Sequence, residues 1–145
     1  MIDFALPADA VAPQLLGCTL THAGVSIRLT EVEAYLGAED SAAHTFNGKT
    51  PRNAAMFGPP GRFYVYISYG IHRNVNIVCA PEGTGQGCLL RGGEIIEGAD
   101  TAFARRGTSD FHNLARGPGN LGKALGFTLE DNHQPIQIVE RTTEP

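Results

Sequence analysis

The chain lacks several features that would place it in a specialised class of protein. It has no tryptophan, and Cys18, Cys79 and Cys88 form no C-x-x-C pair, so neither a disulfide framework nor a zinc site is indicated. No apolar run approaches the roughly 20 residues of a membrane-spanning helix. The N-terminus, Met1 to Phe4, lacks a signal-peptide pattern. These absences predict a cytoplasmic protein, nucleoid-associated if the source is prokaryotic.

Acidic residues are absent from positions 41–81, although the formal net charge of the chain is −4. The basic residues of this stretch are Lys49, Arg52, Arg62 and Arg73. A second basic block lies within residues 101–129. An acidic chain is not a general binder of polyanions, but two basic blocks that fold together would form one positive face. The alternative is that the arginines are scattered over the surface.

Length and composition predict one α+β domain over residues 1–145. A chain of this length buries a core without needing covalent cross-links. Its 18 glycines and 9 prolines imply many turns and favour strands over long helices. We therefore expect a curved, mainly antiparallel β-sheet with short peripheral helices and a protruding β-hairpin.

The segment Val25–Tyr35 alternates like a β-strand, and the first half of one face is apolar. If the period of two continues, Glu31, Glu33 and Tyr35 fall on that same face. Carboxylates beside a core are costly unless they are paired or functional, so this conflict predicts a site. The alternative is a strand that runs out into solvent.

The strands Phe63–Tyr69 and Asn74–Cys79 are predicted to pair as a hairpin. The tip of the hairpin carries Tyr69, Ile71, His72 and Arg73. Hairpin tips are usually small and polar, whereas a large apolar side chain beside an arginine suits insertion between stacked bases. A tip that folds back on the core is the alternative.

Other segments have clear turn and cap signals. Thr50–Gly58 is predicted to be a helix with Thr50 as its N-cap, and Arg52 in its first turn suits an anion. Cys88–Arg91 is predicted to be a buried strand that ends at a Gly92-Gly93 turn. Further short elements are predicted at Ala8–Leu16, Gly98–Arg106, Gly117–Leu125 and Ile136–Val139.

Aromatic side chains predict a slot for a flat ring. Tyr64 and Tyr66 share one face of their strand, and Tyr35 lies on the same strand as Glu33. If the two strands are neighbours, Glu33 lies beside a pocket lined by Tyr35 and Tyr66, with His44 from the following loop. Stacking of one base on an aromatic ring is worth ~1–3 kcal/mol, and a carboxylate beside the slot could activate a water.

Several spaced motifs occur in a fixed order along the chain. They are Glu31-x-Glu33-Ala34-Tyr35-Leu36-Gly37, Asp40-x-Ala42-Ala43-His44, Thr50-Pro51-Arg52-Asn53-x-x-Met56-Phe57, Gly61-x-x-Tyr64-Val65-Tyr66-Ile67-x-Tyr69-Gly70, Asn76, Leu89-Leu90-Arg91 and the segment from Leu114 to Leu125. Together they resemble the alkyladenine (3-methyladenine) DNA glycosylase family, over about Leu15 to Asp131. Members normally continue beyond the position of Pro145, so the C-terminus is short for the family, and an exposed edge strand is expected.

The resemblance implies a role for individual residues. Glu33 is implied as the general base for the attacking water, and Arg91 as the arginine near the lesion phosphate and catalytic centre. The implied base pocket consists of Tyr35, His44, Tyr66 and Asn76, with Asn76 excluding the guanine amino group. Tyr69 is implied as the residue that fills the gap left by the extruded nucleotide. Candidates for contacting the DNA backbone are Arg52, Arg73 and Lys123, and no metal or organic cofactor is implied.

The implied function is that of a monofunctional DNA glycosylase in base excision repair. It would flip alkylated or deaminated purines out of duplex DNA and hydrolyse their N-glycosidic bond. The only lysines, Lys49 and Lys123, match no catalytic position, so strand cleavage through a Schiff base is not expected. The expected partners are double-stranded DNA with damaged purines and a catalytic water, and the protein is expected to be a monomer. The alternatives are a lesion-binding protein without catalysis and a nucleotide or nucleoside hydrolase.

Overall fold

The fold is an antiparallel β-sheet with short helices on its faces, as expected for the α+β class. The computed structural model describes residues 2–37, 48–51 and 53–140. Within these residues the helices are α1 (Ala8–Leu15), α2 (Ala99–Arg106) and α3 (Pro118–Ala124). The strands are β1 (Thr19–His22), β2 (Val25–Tyr35), β3 (Phe63–Ser68), β4 (His72–Cys79), β5 (Gln86–Glu97) and β6 (Ile138–Val139). They form one sheet in the order β3-β4-β5-β2-β1-β6.

One face of the sheet, here called the core face, packs against α1, α2 and α3. Alternate residues of β3 and β4, such as Phe63, Val65, Val75 and Ile77, are buried on this face. Leu121 belongs to the α3 side chains that are fully buried in the same cluster. The opposite face carries a smaller apolar cluster, and we call it the site face. Its buried members are Ala55, Met56, Tyr64 and Val78, with Tyr66 packed against them.

A β-bulge in β2 exchanges the two faces of this strand halfway along its length. The register against β5 shifts between Leu29 and Glu31 and again between Glu31 and Val32. The residues of β2 and the following Leu36 that contact the core are Val25, Ile27, Leu29, Val32, Ala34 and Leu36. The expectation that Glu33 and Tyr35 continue the core-facing side is therefore wrong, because the extra residue moves them to the site face.

The strand β5 runs without a break through the predicted Gly92-Gly93 turn. The two glycines lie where β2 and β5 approach each other closely. A Cβ on Gly93 would lie 2.4 Å from the carbonyl oxygen of Arg28, and one on Gly92 would lie 2.8 Å from Oε1 of Glu31. Here glycine permits the close contact of two strands and does not reverse the chain.

The sheet curls strongly, so that β1 and β3 lie close together in space. The ring of His22 in β1 lies edge-on to Phe63 of β3, with 6.1 Å between the ring centroids. Residues 132–139 hydrogen-bond to both strands. Asn132 Oδ1 accepts from the amide of Val65 at 2.7 Å, and Ile138 pairs with Leu20. This segment therefore covers part of the edge of β3.

The remaining local predictions are confirmed except near Pro51. A 3₁₀ helix, Ala54–Phe57, replaces the predicted helix from Thr50, and Gly58 follows it. Thr50 instead forms a turn in which its hydroxyl accepts from the amide of Asn53 at 3.3 Å. Among the helices of the described ranges, none combines the length and the apolar character needed to cross a membrane.

Candidate active site

The site face carries a row of side chains that crosses four strands. The register pairs Tyr64 of β3 with Asn76 of β4, Asn76 with Leu89 of β5, and Leu89 with Glu33 of β2. At a strand spacing of about 4.8 Å the row spans roughly 14 Å. β2 and β3 are not neighbours, because β4 and β5 lie between them. The site is therefore not a slot between two adjacent strands, as expected, but a wider face on which Asn76 and Leu89 lie between Tyr64 and Glu33.

Glu33 is held by two donors that meet at the same carboxylate oxygen. The Tyr35 hydroxyl donates to Oε1 of Glu33 at 2.6 Å, and Nη1 of Arg91 donates to Oε1 at 3.2 Å. Both charged side chains are about half exposed, at 45% for Glu33 and 41% for Arg91. No hydrogen bond of the described residues involves Oε2 of Glu33. The carboxylate is therefore oriented through one oxygen and can accept a hydrogen bond through the other.

Tyr35 remains a hydrogen-bond donor over a wide pH range. Its partial burial, its hydrogen bond to Glu33 and the charge of that carboxylate raise the pKa of Tyr35 from 10.0 to about 12, with a further contribution from Tyr66 and an opposing one from Arg91. The predicted grouping of Glu33, Tyr35, Tyr66 and Arg91 on one face is consistent with this geometry.

Two asparagines of β4 lie on the site face beside the aromatic rings. Asn76 is 2% exposed, and its Nδ2 donates to the carbonyl oxygen of Tyr64 at 3.4 Å. Asn74 pairs with Tyr66 in the register, and its Nδ2 donates to the Tyr66 hydroxyl at 3.2 Å. Asn74 was not among the site residues predicted from the sequence. Its spacing of two residues from Asn76 on a strand was the signal that could have found it.

The tip of the β3–β4 hairpin projects into solvent. Tyr69 is 93% exposed and Ile71 is 72% exposed. Tyr69 has a φ of 53° and Gly70 a φ of 75°, and the amide of Ile71 donates to the carbonyl of Ser68 at 3.2 Å. Two consecutive residues with positive φ are typical of the two-residue turn that matches the twist of a hairpin. The alternative in which the tip folds back on the core is wrong.

The second basic block is divided between structural and exposed side chains. Arg105 donates to the carbonyls of Ala23 and Ala124, and Arg106 donates to the carbonyls of Asn113 and Leu114. These two arginines cap chain segments and are not available as a pair for a polyanion. The exposed cations near the hairpin are Arg73, Arg116 and Lys123. The positive face is therefore smaller than the residue count suggested.

Some predicted site residues are not placed by the structure. His44 and Arg52 lie outside the described residues. Glu31 is exposed, and it belongs to none of the ion pairs found among the described side chains. In the same ranges, no group of three or more His, Cys, Asp or Glu side chains is arranged to hold a metal ion.

Comparison with known proteins places the chain in a family. A model of the methylpurine-DNA glycosylase family matches residues 2–143. A protein of Corynebacterium efficiens, provisionally named 3-methyladenine DNA glycosylase, is 67% identical over 149 residues, which cover 99% of this chain and 78% of the relative. A Corynebacterium glutamicum protein with the same provisional name is 68% identical over 136 residues, covering 93% of this chain and 72% of the relative.

A more distant relative has the same provisional name. It comes from Cutibacterium acnes and is 55% identical over 139 residues, covering 96% of this chain and 73% of the relative. The chain spans between 65% and 78% of the lengths of the corynebacterial relatives it matches. The match of the family model to nearly the whole chain agrees with the resemblance found in the sequence. The chain therefore belongs to the methylpurine-DNA glycosylase family and is a hydrolase of the DNA glycosylase type.

Proposed function

We propose that the chain removes alkylated or deaminated purines from duplex DNA by hydrolysing the N-glycosidic bond of a nucleotide that has rotated out of the helix. The observation that carries this proposal is the geometry of Glu33. Its carboxylate is fixed through Oε1 by Tyr35 and Arg91, while Oε2 has no hydrogen bond within the described residues. A carboxylate held in this way can orient a water and accept its proton as the water attacks the anomeric carbon.

For a purine alkylated on its ring, the balance of the reaction requires one base and no strong acid, whereas a neutral deaminated purine must also take up a proton as it leaves. A purine alkylated on its ring is cationic, so it departs as a neutral base when the bond to C1′ breaks. The attacking water gives a proton to Glu33 and its oxygen to C1′, which leaves an abasic site. Arg91 lies 3.2 Å from the carboxylate and keeps a positive charge beside it. Together with Tyr35, it holds the carboxylate in one orientation toward the attacking water.

Strand cleavage through a lysine is not part of the proposal. Lys123 lies on α3, which packs against the core face, whereas Glu33 is on the opposite face. Lys49 is exposed and precedes the turn at Thr50. A Schiff base would require one of these amines at the anomeric carbon. We therefore propose a monofunctional enzyme.

The hairpin tip supplies the group that stabilises the flipped state. Tyr69 is almost fully exposed and is held by a turn in which its own φ is positive. A rigid, projecting aromatic ring can enter the base stack and fill the gap left by the extruded nucleotide. Flipping costs a few kcal/mol, and stacking of the base between Tyr35 and Tyr66 would offset part of this cost.

The other predicted contacts complete the proposal. Arg73 and Lys123 are exposed on β4 and α3, which contact each other, and both are suited to phosphate oxygens. Arg52 and His44 keep the roles predicted from the sequence, and Asn76 keeps its role in excluding the guanine amino group. We propose that residues 1–145 act as one glycosylase domain. The cytoplasmic location and the monomeric state stay predictions.

A matched pair of variants tests the proposal. Duplex DNA with a single hypoxanthine or alkylated purine is incubated with protein, and abasic sites are then cleaved with alkali. Glu33→Gln should bind the duplex but lose excision by about 10²–10⁴-fold. Glu31→Gln removes a carboxylate from the same strand and should retain activity. Binding without any alkali-sensitive site in the wild type would instead favour a lesion-binding protein without catalysis.

A further inference from the structure

Asn74 has a buried polar atom without a partner. The residue is 7% exposed, and its Nδ2 donates to the Tyr66 hydroxyl at 3.2 Å. Its Oδ1 is the one buried side-chain nitrogen or oxygen in the described part of the chain that makes no hydrogen bond. Because a buried acceptor without a donor is unfavourable, such an atom is expected either to be a fault in the packing or to receive a donor from a ligand.

The position of Asn74 favours the second explanation. It lies on the site face, two residues from Asn76 and directly opposite Tyr66 in the register. The pairing of β4 with β5 ends at Asn76 and Leu89. Beyond this point β5 instead pairs with Arg116, through Gly92. Asn74 therefore lies where the sheet opens.

A groove occupies this opening. It has a volume of about 290 Å³ and is lined by Asn74, by Ser68, Tyr69 and His72 of the hairpin, and by residues 116–120. The space beside Asn74 is thus continuous with the hairpin tip, which is the side from which a flipped nucleotide would enter. Oδ1 itself is shielded from solvent, so a ligand in the groove reaches it when a neighbouring side chain moves aside.

We propose that Asn74 is a specificity-determining residue whose Oδ1 accepts a hydrogen bond from the 6-amino group of an adenine-derived base. This inference rests on the proposed function, because it concerns the base that the same site receives. Purines with a 6-oxo group, such as guanine or hypoxanthine, would place an oxygen lone pair against Oδ1, so hypoxanthine should be a weaker substrate than an alkylated adenine. The site should therefore prefer lesions with a 6-amino group, which derive from adenine, over lesions with a 6-oxo group.

The role differs from that of Asn76. Asn76 is implied to exclude a group at the 2 position of guanine, which is a steric effect. Asn74 attracts a donor at the 6 position, which is a hydrogen-bonding effect. Its amide is oriented by the bond from Nδ2 to the Tyr66 hydroxyl, so that Oδ1 remains as the acceptor. Two asparagines on one strand face would read opposite edges of the purine ring.

Titration with free bases tests the proposal without any need for catalysis. Adenine and unsubstituted purine differ by the 6-amino group alone, and their binding can be followed by calorimetry. The wild type should bind adenine about 3- to 10-fold more tightly than purine, the range expected for one hydrogen bond between neutral groups. Asn74→Leu should reduce this ratio to about one, and Asn74→Asp, which keeps an acceptor oxygen, should restore a preference for adenine.

Two controls separate this role from a structural one. Tyr66→Phe keeps the ring but removes the hydroxyl that orients the Asn74 amide, so the preference for adenine should fall while unsubstituted purine still binds. Thermal unfolding of each variant shows whether the fold is intact. If the wild type binds adenine no more tightly than purine, or if Asn74→Leu weakens both bases equally, the proposal is overturned.

An excision assay distinguishes this inference from the proposed function. Duplex DNA treated with dimethyl sulfate contains 3-methyladenine and 3-methylguanine, and the released bases can be separated by chromatography. Asn74→Leu should lower the release of 3-methyladenine relative to 3-methylguanine by a similar 3- to 10-fold. A wild type that releases neither base refutes the proposed function, while the titration with free bases still decides the role of Asn74.

Discussion

Tyr35→Phe should slow base excision by about 5-fold, because it releases one of the two groups that hold Glu33. The substitution keeps the aromatic ring and removes the hydroxyl that donates to Oε1 of Glu33 at 2.6 Å. A hydrogen bond to a charged group contributes about 1.5–3 kcal/mol when it is buried. Glu33 is 45% exposed, so solvent reduces this value to about 1 kcal/mol. Each 1.36 kcal/mol is a factor of about ten in rate, which gives the expected change.

The measurement is the single-turnover rate of excision with enzyme in excess over a lesion-containing duplex. This design isolates the chemical step and base flipping from product release. The double variant Glu33→Gln/Tyr35→Phe should be no slower than Glu33→Gln alone, to within about twofold. Groups that act through a shared partner are not additive, so the effect of Tyr35 should disappear with the carboxylate.

Two results would refute this reasoning. One is a Tyr35→Phe variant as inactive as Glu33→Gln, which would mean that the phenol itself takes part in the chemistry. The other is an undiminished 5-fold effect of Tyr35→Phe in the Glu33→Gln background. In that case Tyr35 would act on the base or the sugar and not by orienting Glu33.

Three further predictions concern other parts of the molecule. Tyr69→Ala should reduce excision from duplex DNA by at least 10-fold more than excision from single strands, because only a duplex has a stack to fill; equal losses would exclude the wedge role. In spectrophotometric titration, the difference between wild type and Tyr35→Phe should show a phenol that ionises near pH 12; a phenol that ionises near pH 10 would contradict the environment of Tyr35. The free energy of unfolding should fall as the pH rises from about 10 to 12, because the Tyr35 phenol of the unfolded chain loses its proton before that of the folded chain. Asp131→Asn should reduce the free energy of unfolding by about 1–2 kcal/mol and lower the melting temperature by about 4–8 °C, because Oδ1 of Asp131 accepts a hydrogen bond from His22 at 2.9 Å. The control is Glu130→Gln at the exposed neighbouring position, which should leave the melting temperature unchanged.

The sequence predicted the strands well because their signals are local. The boundaries of β2 were predicted correctly, since a turn precedes Val25 and an alternating pattern continues to Tyr35. The hairpin of β3 and β4 was predicted from its aromatic and β-branched residues. α2 is bounded by Gly98 and Gly107, and α3 begins directly after Gly117. In each case a few neighbouring residues determine the backbone conformation.

Which strands are neighbours, and which face a residue occupies, depend on distant parts of the chain. β2 pairs with β5 and not with β3, and only the long-range register reveals this. The bulge between Leu29 and Val32 has no signal within β2 itself, because it arises where Gly92 and Gly93 allow β5 to come close. Glu33 was identified through the resemblance to a family, since the periodic pattern alone placed it on the wrong face. Asn74 became notable only when its partners were known.

The register around Thr30 has a consequence for how this gene can vary in length. The shift that skips Thr30 in β2 is cancelled by a second shift that skips Arg91 in β5, so that Leu29 pairs with Gly93 and Val32 with Leu90. Deleting Thr30 alone would keep Val32 and Ala34 on the core face, because they would then follow Leu29 in unbroken alternation. The same deletion would move Glu33 by one residue relative to its partner strand β5. A three-nucleotide deletion at this codon should therefore impair catalysis more than folding, whereas a loss of one residue at the exposed tip of the hairpin would leave the carboxylate in place. The lengths of β2 and β5 at this point should vary together.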